Sequence, residues 1–317
     1  MIENGKNPAV SVIVPAYGVT QYIGEALDSV LAQTWTDYEI IVVNDGCRDT
    51  PALERVLQPY LGRIIYLKQE NGGPSSARNT GIRASRAPFV ALLDGDDAWE
   101  PDFLEVQMGI FKSDPSIDLL YSNAIMFGDT PFAGRLGMDF SPSEGEVTFE
   151  SLVSFKCMVL MSVTARKEAL VRAGWFDENL RRSEDFDLWL RVVKTGGRIQ
   201  YHRRPLTRYR QRNTGLSADG FAMRQGALAV MEKAERTLDL TPAERKTVQE
   251  AKVRFQADAD YFSGWQALRK GDTREALRAL EAANRYYRGP RLAVFLLVLK
   301  TVPSLAAAGA KFFNRGG

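Results

Sequence analysis

Phe89-Val90-Ala91-Leu92-Leu93-Asp94-Gly95-Asp96-Asp97 is the stretch on which the fold of this chain turns. Five apolar residues without a polar break suit a strand buried on both faces, as in a parallel sheet covered by helices. The run then stops in a turn that carries three carboxylates. Two carboxylates flanking a glycine on a tight turn present hard oxygens of the kind that bind Mg2+ or Mn2+. Acidic turns are common in loops, so the weight comes from the buried strand directly before this one. The third carboxylate, Asp97, is a spare ligand or a cap for the helix that follows.

The same punctuation recurs towards the N-terminus. Residues 10–14 form a β-branched run that ends in Pro15-Ala16-Tyr17, and residues 38–43 form a second run that ends in Asn44-Asp45-Gly46. Between them, Thr20 can cap a helix whose apolar residues Tyr22, Ile23, Ala26, Leu27, Val30 and Leu31 recur at three and four. A helix over 50–61, a strand over 64–67, a helix over 75–84 and a helix opened by Pro101 follow. This alternation predicts an α/β fold with a mostly parallel sheet flanked by helices. Ligands of such sheets sit outside the carboxyl ends of the strands. Three separate strands therefore deliver polar groups to one edge. Residues 128–147, rich in Gly, Pro, Ser and Asp, read as a surface loop.

After Ser217 the strand signals stop. Residues 218–238, 242–270, 273–287 and the segment from Arg291 read as helices. The predicted division is a catalytic domain over 1–217 and a helical extension over 218–317. Residues 261–277 resemble one tetratricopeptide-like hairpin, but a single copy cannot bury a core of its own, and a plain helical appendage is an equal reading. Residues 292–299 form an apolar run of eight, short of the roughly 20 needed to span a bilayer. From Arg288 onward every charged side chain is basic. Basic flanks beside Leu and Phe suit a helix lying on an anionic inner leaflet, and the alternative is a helix docked on the protein's own core.

Composition narrows the function classes. The 317 residues are 45% hydrophobic and 25% charged, with a net charge of +2. No basic excess is available to neutralise a phosphate backbone, so nucleic acid is not an expected partner. Cys47 and Cys157 lie far apart without a CxxC pair, which gives neither a zinc site nor a disulfide framework and suits a reducing compartment. The one histidine, His202, excludes chemistry that needs several imidazoles and reads as a structural strand residue. Residues 1–8 are polar, without the pattern of a signal peptide. The expected location is cytoplasmic, peripheral to the inner face of the membrane at most.

Two further clusters carry chemistry. In Ser183-Glu184-Asp185-Phe186-Asp187-Leu188-Trp189-Leu190-Arg191, Leu188 pairs with Val192 and Trp189 with Val193, so a helix begins near Glu184. Acidic residues there complement the helix dipole, and a carboxylate within reach of an acceptor hydroxyl can act as a general base. Residues 71–79, Asn-Gly-Gly-Pro-Ser-Ser-Ala-Arg-Asn, form a loop opening a helix, where backbone N–H groups can meet phosphate. They match neither the dinucleotide fingerprint nor the P-loop. Asp45 can accept from a base N–H or simply close its turn, and Tyr17 can stack on a base or simply pack.

Together these residues resemble glycosyltransferase family 2, inverting enzymes of the Rossmann-like GT-A fold. Six pieces carry the resemblance in the family's order: VSVIVPAYG at 10–18, VVNDGCRDT at 42–50, NGGPSSARNTGI at 71–82, LLDGDDAWEP at 92–101, GWFDENL at 174–180 and SEDFDLWLR at 183–191. They span about two thirds of the chain. The resemblance implies a metal-dependent hexosyltransferase. It would move a sugar from a nucleotide-diphosphate donor, most often UDP-linked, to a saccharide or lipid-linked acceptor in surface polysaccharide, lipopolysaccharide or glycolipid synthesis.

The resemblance also implies roles. Asp45 would contact the nucleobase, with Pro15 and Tyr17 beside it, and Arg78 and Asn79 would line the donor pocket. Asp94 and Gly95 would face the ribose and diphosphate, and Asp96, with Asp94, would hold Mn2+ or Mg2+. Asp185 would be the catalytic base. Trp175 and Phe176 would face the acceptor, and Glu184 would support it. Three departures stand out: Asn44 replaces the first of two usual aspartates, Cys47 replaces a usual serine, and no histidine follows the strand over 206–210. Arg212 is left there to grip the diphosphate. Two other readings fit less well. A nucleotidyltransferase would need a Gly-rich basic loop where Pro15-Ala16-Tyr17-Gly18 stands. A catalytically inactive nucleotide-sugar-binding scaffold would need no base.

Overall fold

The computed structural model describes residues 7–160, 162–212, 215 and 219–302. The chain separates into two compact units, 1–214 and 215–317. The expected boundary at 217/218 falls among residues 216–218, outside the described set.

The first unit holds one eight-stranded sheet: β1 (Val10–Ala16), β2 (Tyr38–Asp45), β3 (Ile65–Gln69), β4 (Phe89–Leu92), β5 (Ala98–Trp99), β6 (Leu119–Gly128), β7 (Val163–Arg166) and β8 (Ile199–Gln211). The spatial order is β3-β2-β1-β4-β7-β6-β8-β5. Strands β3, β2, β1 and β4 are parallel. β7 then runs antiparallel to both β4 and β6, β8 parallels β6, and β5 pairs antiparallel with β8. The α/β fold is as expected, with a parallel half that matches the sequence reading and a mixed half beyond it. Pro15 does not end β1. It pairs in register with Val43, beyond the last β1 residue facing β4, so its missing N–H costs no bond on that side.

Among the described residues seven α-helices accompany the sheet: α1 (Ile23–Leu31), α2 (Thr50–Leu57), α3 (Gly73–Ala84), α4 (Phe103–Ser113), α5 (Phe149–Val153), α6 (Lys167–Arg172) and α7 (Glu184–Lys194). α1 buries Ile23, Ala26, Leu27 and Val30, the predicted stripe, but it opens at Tyr22 rather than Thr20. α4 opens at Asp102, so Pro101 precedes the helix, and its carbonyl accepts from the Thr34 N–H. At the amino end of the sheet, the buried Glu39 carboxylate accepts from Ser11 Oγ at 2.6 Å and from Arg86 N and Nε at 2.8 Å each. Residues 128–147 are more than a surface loop. Asn123 Oδ1 accepts the Met138 N–H at 2.9 Å, and Gly137 and Met138 are buried.

The second unit is helical, as expected: α8 (Gly220–Thr237), α9 (Pro242–Arg269), α10 (Thr273–Tyr287) and α11 (Pro290–Thr301). Thr241 and Glu244 form a capping box at the start of α9. A Cβ on Gly264 would lie 2.6 Å from Leu280 Cγ, so α9 and α10 meet closely. Phe295, Leu296 and Leu299 of α11 complete this core against Leu268, Ala276 and Leu280.

Packing of α3 on β1 is equally tight, because a Cβ on Gly81 would come within 2.4 Å of Ile13 Cγ2. Gly81→Ala gains about 1 kcal/mol of helix propensity but overpacks a β-branched residue inside the sheet, at a cost of about 1–3 kcal/mol. The contact is short enough to put the cost near the upper figure. The variant is expected to be less stable than the parent in urea unfolding, and equal or greater stability would show that α3 stands off the sheet.

Candidate active site

Two consecutive residues of α3 tie the site together. Arg78 is only 5% exposed. Its Nη2 donates to Asp94 Oδ1 at 2.8 Å and its Nη1 to Glu184 Oε1 at 2.7 Å, while its guanidinium lies 5.4 Å from the Phe176 ring centre. Burial works against the charge, but the two carboxylates outweigh it and hold the Arg78 pKa above its ordinary value. Asn79 donates to the Phe176 carbonyl and to Glu178 Oε1, both at 2.9 Å, and accepts the Phe176 N–H at 3.0 Å. One helical turn thereby joins the turn after β4, the segment around Phe176 and the start of α7.

Asn79 uses both ends of its amide on the Phe176 segment and is 1% exposed, so it braces the site. Phe176 is 2% exposed and meets Trp189 edge-on, with ring centres 6.1 Å apart. Its ring supports Arg78. Trp175 is half-buried, 5.6 Å from the Arg83 guanidinium.

The acidic turn is locked from two sides. Gly95 is needed for close approach and not for bending, because a Cβ there would lie 3.0 Å from the Pro15 carbonyl oxygen and 2.9 Å from Val19 Cγ2. Asp97 is neither a spare ligand nor a cap: its Oδ1 accepts the Arg210 N–H at 2.7 Å, which fastens the turn to β8. Burial, with Asp94 and Asp96 nearby, pushes the Asp97 carboxyl well above the usual range. Arg210 Nε donates to the Asp96 carbonyl at 2.7 Å, and its guanidinium covers Tyr22 and Phe127. Asp96 itself meets Arg212, Nε to Oδ2 at 2.7 Å, and Arg212 also reaches the Gly18 carbonyl at 3.2 Å. Burial, then the Asp94 charge, raises the Asp96 pKa.

Asp45 is 2% exposed and carries a full set of protein donors. Gln69 Nε2 and the Gly72 N–H reach Oδ1 at 2.8 and 2.9 Å, and the Gly73 N–H and Asn71 Nδ2 reach Oδ2 at 2.8 and 3.2 Å. Its carboxylate thus anchors the loop that opens α3, where the sequence suggested an acceptor open to a base. Tyr17, by contrast, is 43% exposed at the end of β1.

At the start of α7, Ser183 has a left-handed backbone (φ 57°), as does Trp175 (φ 66°). Neither residue type favours that region, so the surrounding contacts impose it. Asp185 follows, half-buried, with Oδ1 accepting the Phe186 N–H at 2.7 Å. Burial, then the charge of Glu184, pushes its carboxyl up to about 6. Asp187 turns inward to Arg191, whose Nη2 meets its Oδ2 at 2.6 Å. His202 lies in β8 as expected, and burial, with Arg204, lowers its pKa.

The site thus gathers carboxylates from two elements around one buried guanidinium. Residues 11–179 match the sequence pattern described as glycosyl transferase family 2. The chain belongs to that family. It is 32% identical over 202 residues to an uncharacterized glycosyltransferase of Rickettsia prowazekii (strain Madrid E), covering 61% of each chain. It is 29% identical over 192 residues to the chondroitin synthase of Escherichia coli, covering 60% of this chain and 27% of that one. The chain therefore matches less than two thirds of the length of these relatives.

Two solved structures share the fold. S. aureus TarS 1-349 in complex with UDP-GlcNAc aligns with a TM-score of 0.63 at 17% identity, over 96% of this chain and 91% of that one. The mannosyltransferase PcManGT from Pyrobaculum calidifontis, in complex with GDP-Man and Mn2+, aligns with a TM-score of 0.62 at 18% identity, over 98% and 88%. The GT-A fold expected from the sequence is thereby present.

Sequence reasoning missed Gln69, Asn71 and Arg210 as holders of the site. Asn71 stood in a quoted motif, but nothing local marked it as a partner of Asp45.

The raised Asp185 pKa has a sign that stability measurements can read. A carboxyl whose folded pKa lies above its unfolded value of about 3.9 costs native stability once pH rises through that interval. Asp185→Asn removes the cost. Its melting temperature is expected to exceed the parent's at pH 8, with the gain shrinking as pH falls through 6 and vanishing near 4. A pH-independent difference would show that Asp185 titrates normally.

Proposed function

We propose that this family 2 enzyme transfers a sugar from a nucleotide-diphosphate donor, UDP-linked, to an acceptor hydroxyl with inversion. Asp185 is the base. Its pKa of about 6 leaves it mostly ionised at neutral pH yet basic enough to take a proton, the compromise general-base catalysis favours. The acceptor oxygen forms its bond to the anomeric carbon as the bond from that carbon to the diphosphate oxygen breaks. The acceptor's proton passes to Asp185, and the nucleoside diphosphate departs on the opposite face. The single observation that carries this reading is the Arg78 bridge, which ties the helix bearing Asp185 to the turn bearing Asp94 and Asp96.

The residues of that turn fit a divalent cation. Asp94 and Asp96 each have one oxygen engaged by an arginine. Burial, then the Asp94 charge, raises the proton affinity of Asp96, and a cation would relieve the second of these causes. Among the described residues no third His, Cys, Asp or Glu joins them, so diphosphate and water would complete the shell, as is usual for Mg2+. Mn2+ or Mg2+ held there would supply Lewis-acid stabilisation of the leaving diphosphate. Arg212, which meets Asp96 and the Gly18 carbonyl, would supply a cation for the diphosphate charge. Tyr17 and the Asp45-anchored loop would seat the nucleobase. Trp175 and Glu184 would border the acceptor, which we take to be a saccharide or lipid-linked glycan of the cell surface. Buried free thiols at Cys47 and Cys157 suit a cytoplasmic setting.

Calorimetry with UDP, GDP and CDP, each with and without Mn2+, tests the donor site. One nucleotide is expected to bind the parent in a metal-dependent manner and to lose at least tenfold in affinity in Asp96→Ala. Asp185→Asn should keep that affinity while its sugar transfer falls by about 100-fold or more, the usual worth of a general base. In the parent, transfer should decline as pH drops below about 6. No nucleotide binding at all, or full transfer by Asp185→Asn, would overturn the reading.

A further inference from the structure

The sugar-transfer reading makes no use of α11, whose two faces are both apolar. Leu292, Phe295, Leu296 and Leu299 point into the helical unit and pack on α9 and α10. Val294 and Leu297, on the other side, are 64% and 62% exposed, and Val298 and Val302 extend the same bare strip. A helix that has already buried one apolar stripe gains nothing from the second unless another apolar phase covers it.

Charge indicates which phase. Glu281 is the last acidic residue of the chain, and the charged residues after it are Arg285, Arg288, Arg291, Lys300, Lys311 and Arg315, six cations without one anion. The whole chain carries +2, so residues 1–281 carry +2 − 6 = −4. The basic charge is thus concentrated in sequence after Glu281, on a chain whose preceding residues are net acidic. Arg285, Arg288 and Arg291 are exposed, and Lys300 pairs with Glu281. A soluble acidic partner would use the cations but leave the valines and Leu297 in water. A neutral apolar partner would use the strip but gain nothing from the cations. An anionic lipid surface uses both, with acyl chains against the strip and headgroups against the arginines. Among the described residues no helix is long and apolar enough to cross a membrane, so α11 would lie in the interface.

We propose that the exposed face of α11 docks the protein on an anionic bilayer surface. This stands apart from the sugar-transfer reading, since none of these residues belongs to the candidate active site. The full chain would be sedimented with phosphatidylcholine vesicles and with vesicles containing phosphatidylglycerol, at low and high salt. Binding is expected only with the anionic vesicles, weakening as salt rises. Each basic residue near such a surface is worth about a fivefold gain in partitioning, so Arg288→Glu with Arg291→Glu should lose at least 25-fold or so. Val294→Asp with Leu297→Asp should lose binding as well, with circular dichroism and nucleotide affinity unchanged. Equal binding to neutral vesicles, no binding to either, or full retention by both double variants would overturn the proposal. So would light scattering that shows a dimer broken by the Asp variant without any vesicle binding, which would make the strip a self-interface.

Discussion

A buried guanidinium sets the geometry of this protein. Arg78 is almost wholly removed from water, and a charge in that position is tolerated only when paired and hydrogen-bonded. Its partners come from two different elements, the turn after β4 and the first turn of α7. Neither could drift without leaving a buried charge unpaired, a loss of about 3–5 kcal/mol. Arg78 also separates carboxylates that would otherwise repel. Asp94 and Glu184 meet the Arg78 guanidinium and Asp96 meets that of Arg212. Asp97 meets the backbone N–H of Arg210, whose guanidinium pairs with Glu25, so the site holds fewer cations than carboxylates. The shortfall is consistent with the raised pKa values of Asp96, Asp97 and Asp185, in each of which burial is the largest cause and a neighbouring carboxylate the next. Such a concentration of perturbed groups is more typical of a working site than of a structural one.

The site also stores backbone strain. Trp175 and Ser183 occupy left-handed conformations that cost about 1–3 kcal/mol each, and they flank the segment that Asn79 and Arg78 hold in place. The contacts made by α3 over-determine that segment enough to keep the strain. A site built this way trades native stability for placement, as the elevated Asp185 pKa does.

The parallel half of the sheet was legible because continuous apolar runs ended in polar turns, and those turns do lie at strand ends on one edge. The mixed half was much less so. β5 is two residues, too short for a period to register, and β7, four residues like β4, runs straight into α6 without an acidic turn to mark it. Several residues named from the sequence for the site lie together around Arg78, but the contacts that hold them there were not legible. Arg78 meets Glu184 across 106 positions of sequence and Asn79 meets Phe176 across 97. No local pattern announces such pairings, nor the donors of Asp45, which come from the β3–α3 connection. The need for Gly95 lies in its distance from Pro15, which is also a tertiary fact.

If the bridge aligns the base with the donor, turnover should depend on its shape and not only on its charge. Lysine keeps the charge but lacks the planar fork that reaches two carboxylates at once. The decisive measurement is the release of nucleoside diphosphate from saturating donor by Arg78→Lys, alongside its nucleotide affinity. The account predicts turnover lower by about 100-fold, the scale of a misplacement of roughly 1 Å, with nucleotide affinity nearly unchanged. Unchanged turnover in a folded Arg78→Lys protein would contradict it.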